Sequence, residues 1–84
     1  MSITTADPKR IFKGALECGA AAIILCHNHP SGSLKPSSAD ISLTKKLTRA
    51  GSNLDIRILD HIIVSDGGYY SFLDAGIWEN IENG

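Results

Sequence analysis

Ile11, Phe12, Ala15 and Leu16 recur at helical spacing, directly after an Asp7-Pro8 start. Asp caps free helix amides and Pro suits the first helical position, so this pattern predicts a helix over 8–18, stopped by Gly19. Residues 20–26, Ala-Ala-Ala-Ile-Ile-Leu-Cys, form a short unbroken apolar run. Such a run suits a strand covered on both faces, as in α/β sheets. Residues 28–36 hold Asn, two Pro, two Ser and a Gly, which is loop chemistry. Ser37 is then placed to cap a second helix whose buried stripe is expected to be Leu43, Leu47, Ala50 and Leu54, with Gly51 near its end. Residues 56–64 read as the next strand, turned by Asp66-Gly67-Gly68 into Tyr69-Tyr70-Ser71-Phe72. A last helix over 73–81 would bury Ile77 and Trp78. The order helix, strand, loop, helix, strand, strand, helix predicts an α/β domain with about three strands. A strand as apolar as 20–26 needs a neighbour on each side, so self-association through it or its neighbours is expected.

With 84 residues the chain suits one small domain, and a domain this size buries only about 60% of its unfolded surface. A metal, a second copy or flanking sequence would add stability. Eight basic and nine acidic residues give a net charge of -1, without the basic excess that phosphate-backbone binding needs. Lys45, Lys46 and Arg49 cluster near the end of the second predicted helix, where the helix dipole favours cations and a solvated face is expected. Nucleic acid is therefore not an expected partner. Cys18 and Cys26 form no Cys-x-x-Cys pair, which suits a reduced, cytoplasmic protein. Residues 1–8 lack a signal-peptide pattern, and the run 19–26 is far short of the roughly 20 residues that cross a bilayer. A soluble chain without membrane partners is expected.

His27 and His29 stand two apart at the end of the first predicted strand, where alternation sends both side chains to one face. Pro30 favours an extended His29, which preserves that direction. Asp40, in the first turn of the second helix, can swing back over the strand end as a third ligand. Two His and one Asp leave a fourth tetrahedral position for water, the pattern of a catalytic zinc site. Ser37-x-x-Asp40 is equally a helix-capping pattern, and it recurs at Ser71-x-x-Asp74 without any metal chemistry nearby. His61 lies among apolar residues and reads first as a hydrogen-bonded core histidine. Its functional reading is support behind the ligands, with Asp60 orienting it. Glu79 and Glu82 read as solvated charge.

Read together as His-x-His, seven residues, Ser, two residues, Asp, this constellation resembles the JAMM (MPN-plus) metalloprotease signature. The stretch 27–40, His-Asn-His-Pro-Ser-Gly-Ser-Leu-Lys-Pro-Ser-Ser-Ala-Asp, resembles the RadC branch of that group. The similarity extends through Asp7-Pro8, Leu59-Asp-His-Ile-Ile63 and Gly68-Tyr-Tyr-Ser-Phe72, about residues 3–78. The resemblance implies a JAMM-like (cytidine-deaminase-like) mixed sheet flanked by helices. It also implies Zn2+ held by His27, His29 and Asp40, with Ser37 donating to the metal-bound water or developing oxyanion. The implied activity is zinc-dependent hydrolysis of a peptide or isopeptide bond in a peptide or protein substrate.

The family's general base is a glutamate on an earlier strand, and the only Glu before His27 is Glu17, on the first predicted helix. The chain thus reads as the latter part of such a domain, incomplete at the N-terminus, without the leading strands and helical N-terminal region of longer relatives. A non-catalytic metal-binding or interaction module is the competing reading. DNA processing is a third, implied only by the description of RadC proteins as DNA repair factors. The letters His27-Asn28-His29 are not a dispersed HNH nuclease motif. A deaminase would need His-x-Glu and Pro-Cys-x-x-Cys, which are absent.

Overall fold

The computed structural model of the chain describes residues 2–3, 7–29 and 33–83. Pro30, and with it the expectation about its effect on His29, lies outside the described residues. The elements run β1 (Ser2–Ile3), α1 (Pro8–Cys18), β2 (Ala22–Asn28), α2 (Ser38–Asn53), β3 (Arg57–Ser65), β4 (Gly68–Ser71) and α3 (Trp78–Asn83). The four strands form one sheet in the order β1-β2-β3-β4. Pairing is parallel from β1 through β3 and antiparallel between β3 and β4. This is the mixed α/β sheet with helices that the sequence predicts, with one strand more. At two residues, β1 is too short to carry a hydrophobic period.

Asp7 caps α1 by accepting from the Lys9 amide, and Gly19 ends it in the left-handed region at φ 66°. Ile11, Phe12 and Ala15 enter the core, while Leu16 stays exposed. Crossovers between parallel strands are right-handed in nearly all proteins, and for three such strands in sequence order that hand puts α1 and α2 on the same face of the sheet. The burial of β2 agrees: Ile23 and Leu25 are buried, whereas Ala22, Ile24 and Cys26 are half-buried. The run is thus sealed on one face only. β2 has β1 on one side at Ile24 and Leu25 and β3 on the other, so its edge is partly occupied.

Two further expectations are corrected. The buried residues of α2 are Asp40, Thr44, Leu47 and Gly51, not the stripe of four apolar residues. Leu43 and Ala50 are half-buried, and Leu54 caps the helix with 45% of its surface exposed. Spacings of 4, 3 and 4 are helical, but the two polar members are hidden from a hydrophobicity pattern. The last helix begins at Trp78, not residue 73, because 72–76 are turns and Leu73 is exposed. Trp78 and Ile81 are buried as anchors against α2, and Ile77 is half-buried.

β3 carries a register shift: Ile23 pairs with Ile58, but Ile24 pairs with Asp60, so Leu59 is the extra residue of a bulge. Alternation therefore slips by one, and buried positions fall at Ile58, His61 and Ile63. Without the shift, His61 would face the same way as Leu59, which is exposed. The join between α2 and β3 is equally tight. The Gly51 carbonyl accepts from Ile56 N at 2.8 Å, and a Cβ on Gly51 would lie 2.4 Å from the Ile56 carbonyl oxygen. Gly51→Ala gains about 1 kcal/mol of helix propensity but forces two backbone segments apart. A net loss of about 1 to 2 kcal/mol is expected in a urea unfolding titration.

Candidate metal centre

Ligands of α/β sheets gather at the carboxyl ends of parallel strands, and the polar cluster of this chain lies there. His27 is the second-last residue of β2, opposite Ile63 of β3. His29 continues the ladder beyond the strand, its amide donating to the Val64 carbonyl at 3.0 Å. Ile23, Leu25, His27 and His29 thus alternate onto the helix-covered face. The two imidazoles meet edge to face, with ring centroids 4.7 Å apart.

The N-terminus of α2 comes over the same strand ends. Ser37 and Asp40 form a reciprocal capping box: the Ser37 Oγ accepts from Asp40 N at 3.0 Å, and the Asp40 Oδ2 accepts from Ser37 N at 2.8 Å. The carboxylate fixed by that box faces both histidines. His27 Nδ1 lies 3.1 Å from Oδ1, and His29 Nε2 lies 3.0 Å from Oδ2. Asp40 is 5% exposed, so this carboxylate has little water. Burial raises its pKa, but the Ser37 hydrogen bonds and the charges of His27 and His29 outweigh burial and hold it below its usual 3.8.

His29 Nδ1 is 2.8 Å from the Ser33 carbonyl oxygen, which can only accept. A neutral His29 must therefore carry its proton on Nδ1, leaving a lone pair on Nε2 aimed at a carboxylate oxygen. Two acceptors at 3.0 Å need either a second proton on the ring or a cation between them. The donor set fits a cation. One atom from each of His27, His29 and Asp40 lies within 4.8 Å of the others. Tetrahedral bonds of about 2.0 to 2.1 Å would space such atoms by about 3.4 Å. The Ser33 carbonyl is the kind of partner that orients a ligating imidazole from behind.

The chain matches the family model described as RadC-like JAB domain over residues 1–77. The chain belongs to this family. Among its relatives are UPF0758 proteins of Flavobacterium johnsoniae, 55% identical over 89% of this chain, and Pseudomonas fluorescens, 56% identical over 82%. The UPF0758 protein PM1152 of Pasteurella multocida is 49% identical over 88%. The chain spans about a third of the length of these relatives, covering 33%, 31% and 33% of them.

In this RadC-like domain the four positions singled out by the signature, His27, His29, Ser37 and Asp40, converge. Ser37 is exposed; its Oγ accepts from Asp40 N, and its hydroxyl also acts on the Asp40 carboxylate whose pKa it helps to lower. Glu17 does not join them; it sits on α1, 4.0 Å from Lys13 in an exposed i,i+4 pair. No helix among the described residues is long and apolar enough to cross a membrane.

His61 is a core residue, 2% exposed, stacked on Phe72 at 4.6 Å and 5.8 Å from the His27 ring. Its Nδ1 lies 2.6 Å from Thr44 Oγ1. Asp60 does not orient the ring as expected. Its Oδ1 accepts from the backbone amides of His61 and Leu73, and its Oδ2 from Ser71 Oγ, tying β3 to the chain leaving β4. Thr44 went unnoticed in the sequence, although its place one turn after Asp40 was a usable signal.

Burial pushes the His61 imidazole down from its usual 6.5 to about 4. The charges of His27 and His29 add to the shift, and Asp40 and Asp60 oppose it. The folded domain thus keeps His61 neutral while the unfolded chain takes up a proton below pH 6.5. Stability present above about pH 6.5 should be lost as pH falls towards 4, and this residue should add nothing further below that. Asp40, depressed below 3.8, contributes its own loss at still lower pH. Urea titrations across this range in the presence of chelator should show the upper slope, and His61→Phe should flatten it.

Proposed function

We propose that His27, His29 and Asp40 hold a zinc ion, and that this RadC-like domain hydrolyses peptide or isopeptide bonds in a peptide or protein substrate. The observation that carries this is the convergence of His27 Nδ1 and His29 Nε2 on the two Asp40 carboxylate oxygens, at 3.1 and 3.0 Å. Two imidazoles and a carboxylate converging at the carboxyl ends of the strands are a donor set that one divalent ion fits.

Zinc at such a site supplies Lewis-acid polarisation of a carbonyl and brings the pKa of a water to about 7. The chain's own residues do the rest. The capping box and the strand ladder hold the three donors in position before any substrate arrives. Ser37, exposed beside the cluster, turns its hydroxyl to donate a hydrogen bond to the oxyanion that develops on the scissile carbonyl. Exposed and half-buried cysteines, both free, suit a reduced cytoplasmic setting.

A second reading is favoured by one observation. The cluster among the described residues contains no glutamate to take a proton from water, and Glu17 is engaged on the exposed side of α1. On that reading the chain is a non-catalytic zinc-binding or interaction module.

One preparation separates the readings. Elemental analysis of the purified protein should give about one zinc per chain, lost in His27→Ala and in Asp40→Asn. Cleavage of peptide and isopeptide substrates is then measured with and without chelator. Chelator-sensitive cleavage that Ser37→Ala lowers by roughly tenfold to a thousandfold supports the hydrolase. Stoichiometric zinc without turnover supports the binding module. A protein with no zinc, whose stability His27→Ala leaves unchanged, sinks both.

A further inference from the structure

We infer that Thr44 and His61 are positioning residues for the metal ligands, setting the separation between α2 and the β2–β3 sheet at which Asp40 meets His27 and His29. The inference rests on the metal reading above and extends it to two side chains that touch no ion.

Thr44 is 0% exposed and His61 2%, so neither contact is softened by water. Thr44 Oγ1 stands 2.7 Å from the Asp40 carbonyl oxygen and 2.6 Å from His61 Nδ1. A hydroxyl has one proton, and a carbonyl can only accept. Thr44 therefore donates to the Asp40 carbonyl, and His61 Nδ1–H donates to the Thr44 oxygen. A directional chain runs from β3 through α2 into the main chain of the residue that supplies the carboxylate.

His61 is itself held from three sides. Its ring stacks on Phe72 with planes 18° apart, its amide donates to Asp60 Oδ1 at 2.7 Å, and its carbonyl accepts from Phe72 N at 3.0 Å. The bulge at Leu59 turns it inward. A helical Thr bonding to the carbonyl four residues back is commonplace, and a buried His needs some partner. Those bland requirements do not explain where this chain ends. Asp40 belongs to α2 and the two imidazoles to β2, so the ligand set is complete only at one spacing of helix and sheet. Among the described residues Thr44–His61 is the side-chain hydrogen bond that ties α2 to β3.

The test is zinc affinity, read by competition with a chromophoric chelator on protein shown to be folded by circular dichroism. Thr44→Val keeps the β-branched shape and removes the hydroxyl; it should weaken zinc binding by about 10- to 100-fold. Thr44→Ser restores the hydroxyl and should bring affinity back towards wild type. Should Thr44→Val not fold, His61→Phe reads the same link, since it keeps the stack on Phe72 and removes the donor. Ser71→Ala is the control: it removes the bond to Asp60 Oδ2 and the acceptor for Asp74 N at the β3–β4 corner while His61 keeps its own partners, and its zinc affinity should stay near wild type. Folded Thr44→Val or His61→Phe with wild-type affinity overturns the inference. So does a Ser71→Ala protein that loses affinity as much as Thr44→Val, because the effect is then general loosening. A wild-type protein that binds no zinc overturns the metal reading itself, and this inference with it.

Discussion

An imidazole nitrogen and a carboxylate oxygen 3.0 Å apart need a proton or a cation between them, and the architecture is organised around that meeting of His29 and Asp40. The Ser33 carbonyl engages His29 Nδ1 and so turns Nε2 towards Asp40. The capping box fixes which way Asp40 points. Each partner is held by a backbone group, His29 by the Ser33 carbonyl and Asp40 by the Ser37 amide. A surface His–Asp pair would relax into water; here the carboxylate is almost fully covered, and the frustration persists until a proton or a cation resolves it.

The topology makes this meeting possible. Parallel β2 and β3 end on the same side, and the crossover between them must start its helix there. The unsatisfied amides of the first turn of α2 thus arrive over the strand ends, where a carboxylate is favoured both as a cap and by the helix dipole. Asp40 serves local helix chemistry and the cluster with the same two oxygens. The cost appears one turn further on, where α2 buries a threonine instead of an aliphatic side chain. His61 satisfies that hydroxyl, and the bulge at Leu59 exists on the strand that delivers His61.

How much of this was legible follows from which forces act along the chain and which act across it. α1 and the position of α2 were readable, because caps, stops and apolar spacing are local. The pair His27 and His29 was readable because strand alternation is local too. The buried face of α2 was not: Thr44 and Asp40 are inside only because partners on other elements satisfy them, and hydrophobicity cannot register a partner. The bulge escaped for the same reason, since it is defined by the register with β2 and leaves Leu59 looking like any strand residue. The late start of α3 reflects the Asp60 carboxylate, which captures Leu73 N from a distance in sequence and holds 72–76 as turns.

The two Ser-x-x-Asp motifs sharpen the point. Ser71 Oγ accepts from Asp74 N at 3.1 Å, as Ser37 does from Asp40, so both begin as the same cap. Ser71, however, gives its own proton to Asp60, and Asp74 is exposed at the head of a turn. At the other cap, Asp40 returns the bond to the Ser37 amide while facing two imidazoles. Identical local chemistry therefore yields a structural hinge in one place and a candidate metal ligand in the other. What separates them is the element beneath: a paired β3–β4 corner under Asp74, and the open carboxyl ends of two parallel strands under Asp40. A motif of this length specifies a backbone shape, and the sheet decides what that shape is used for.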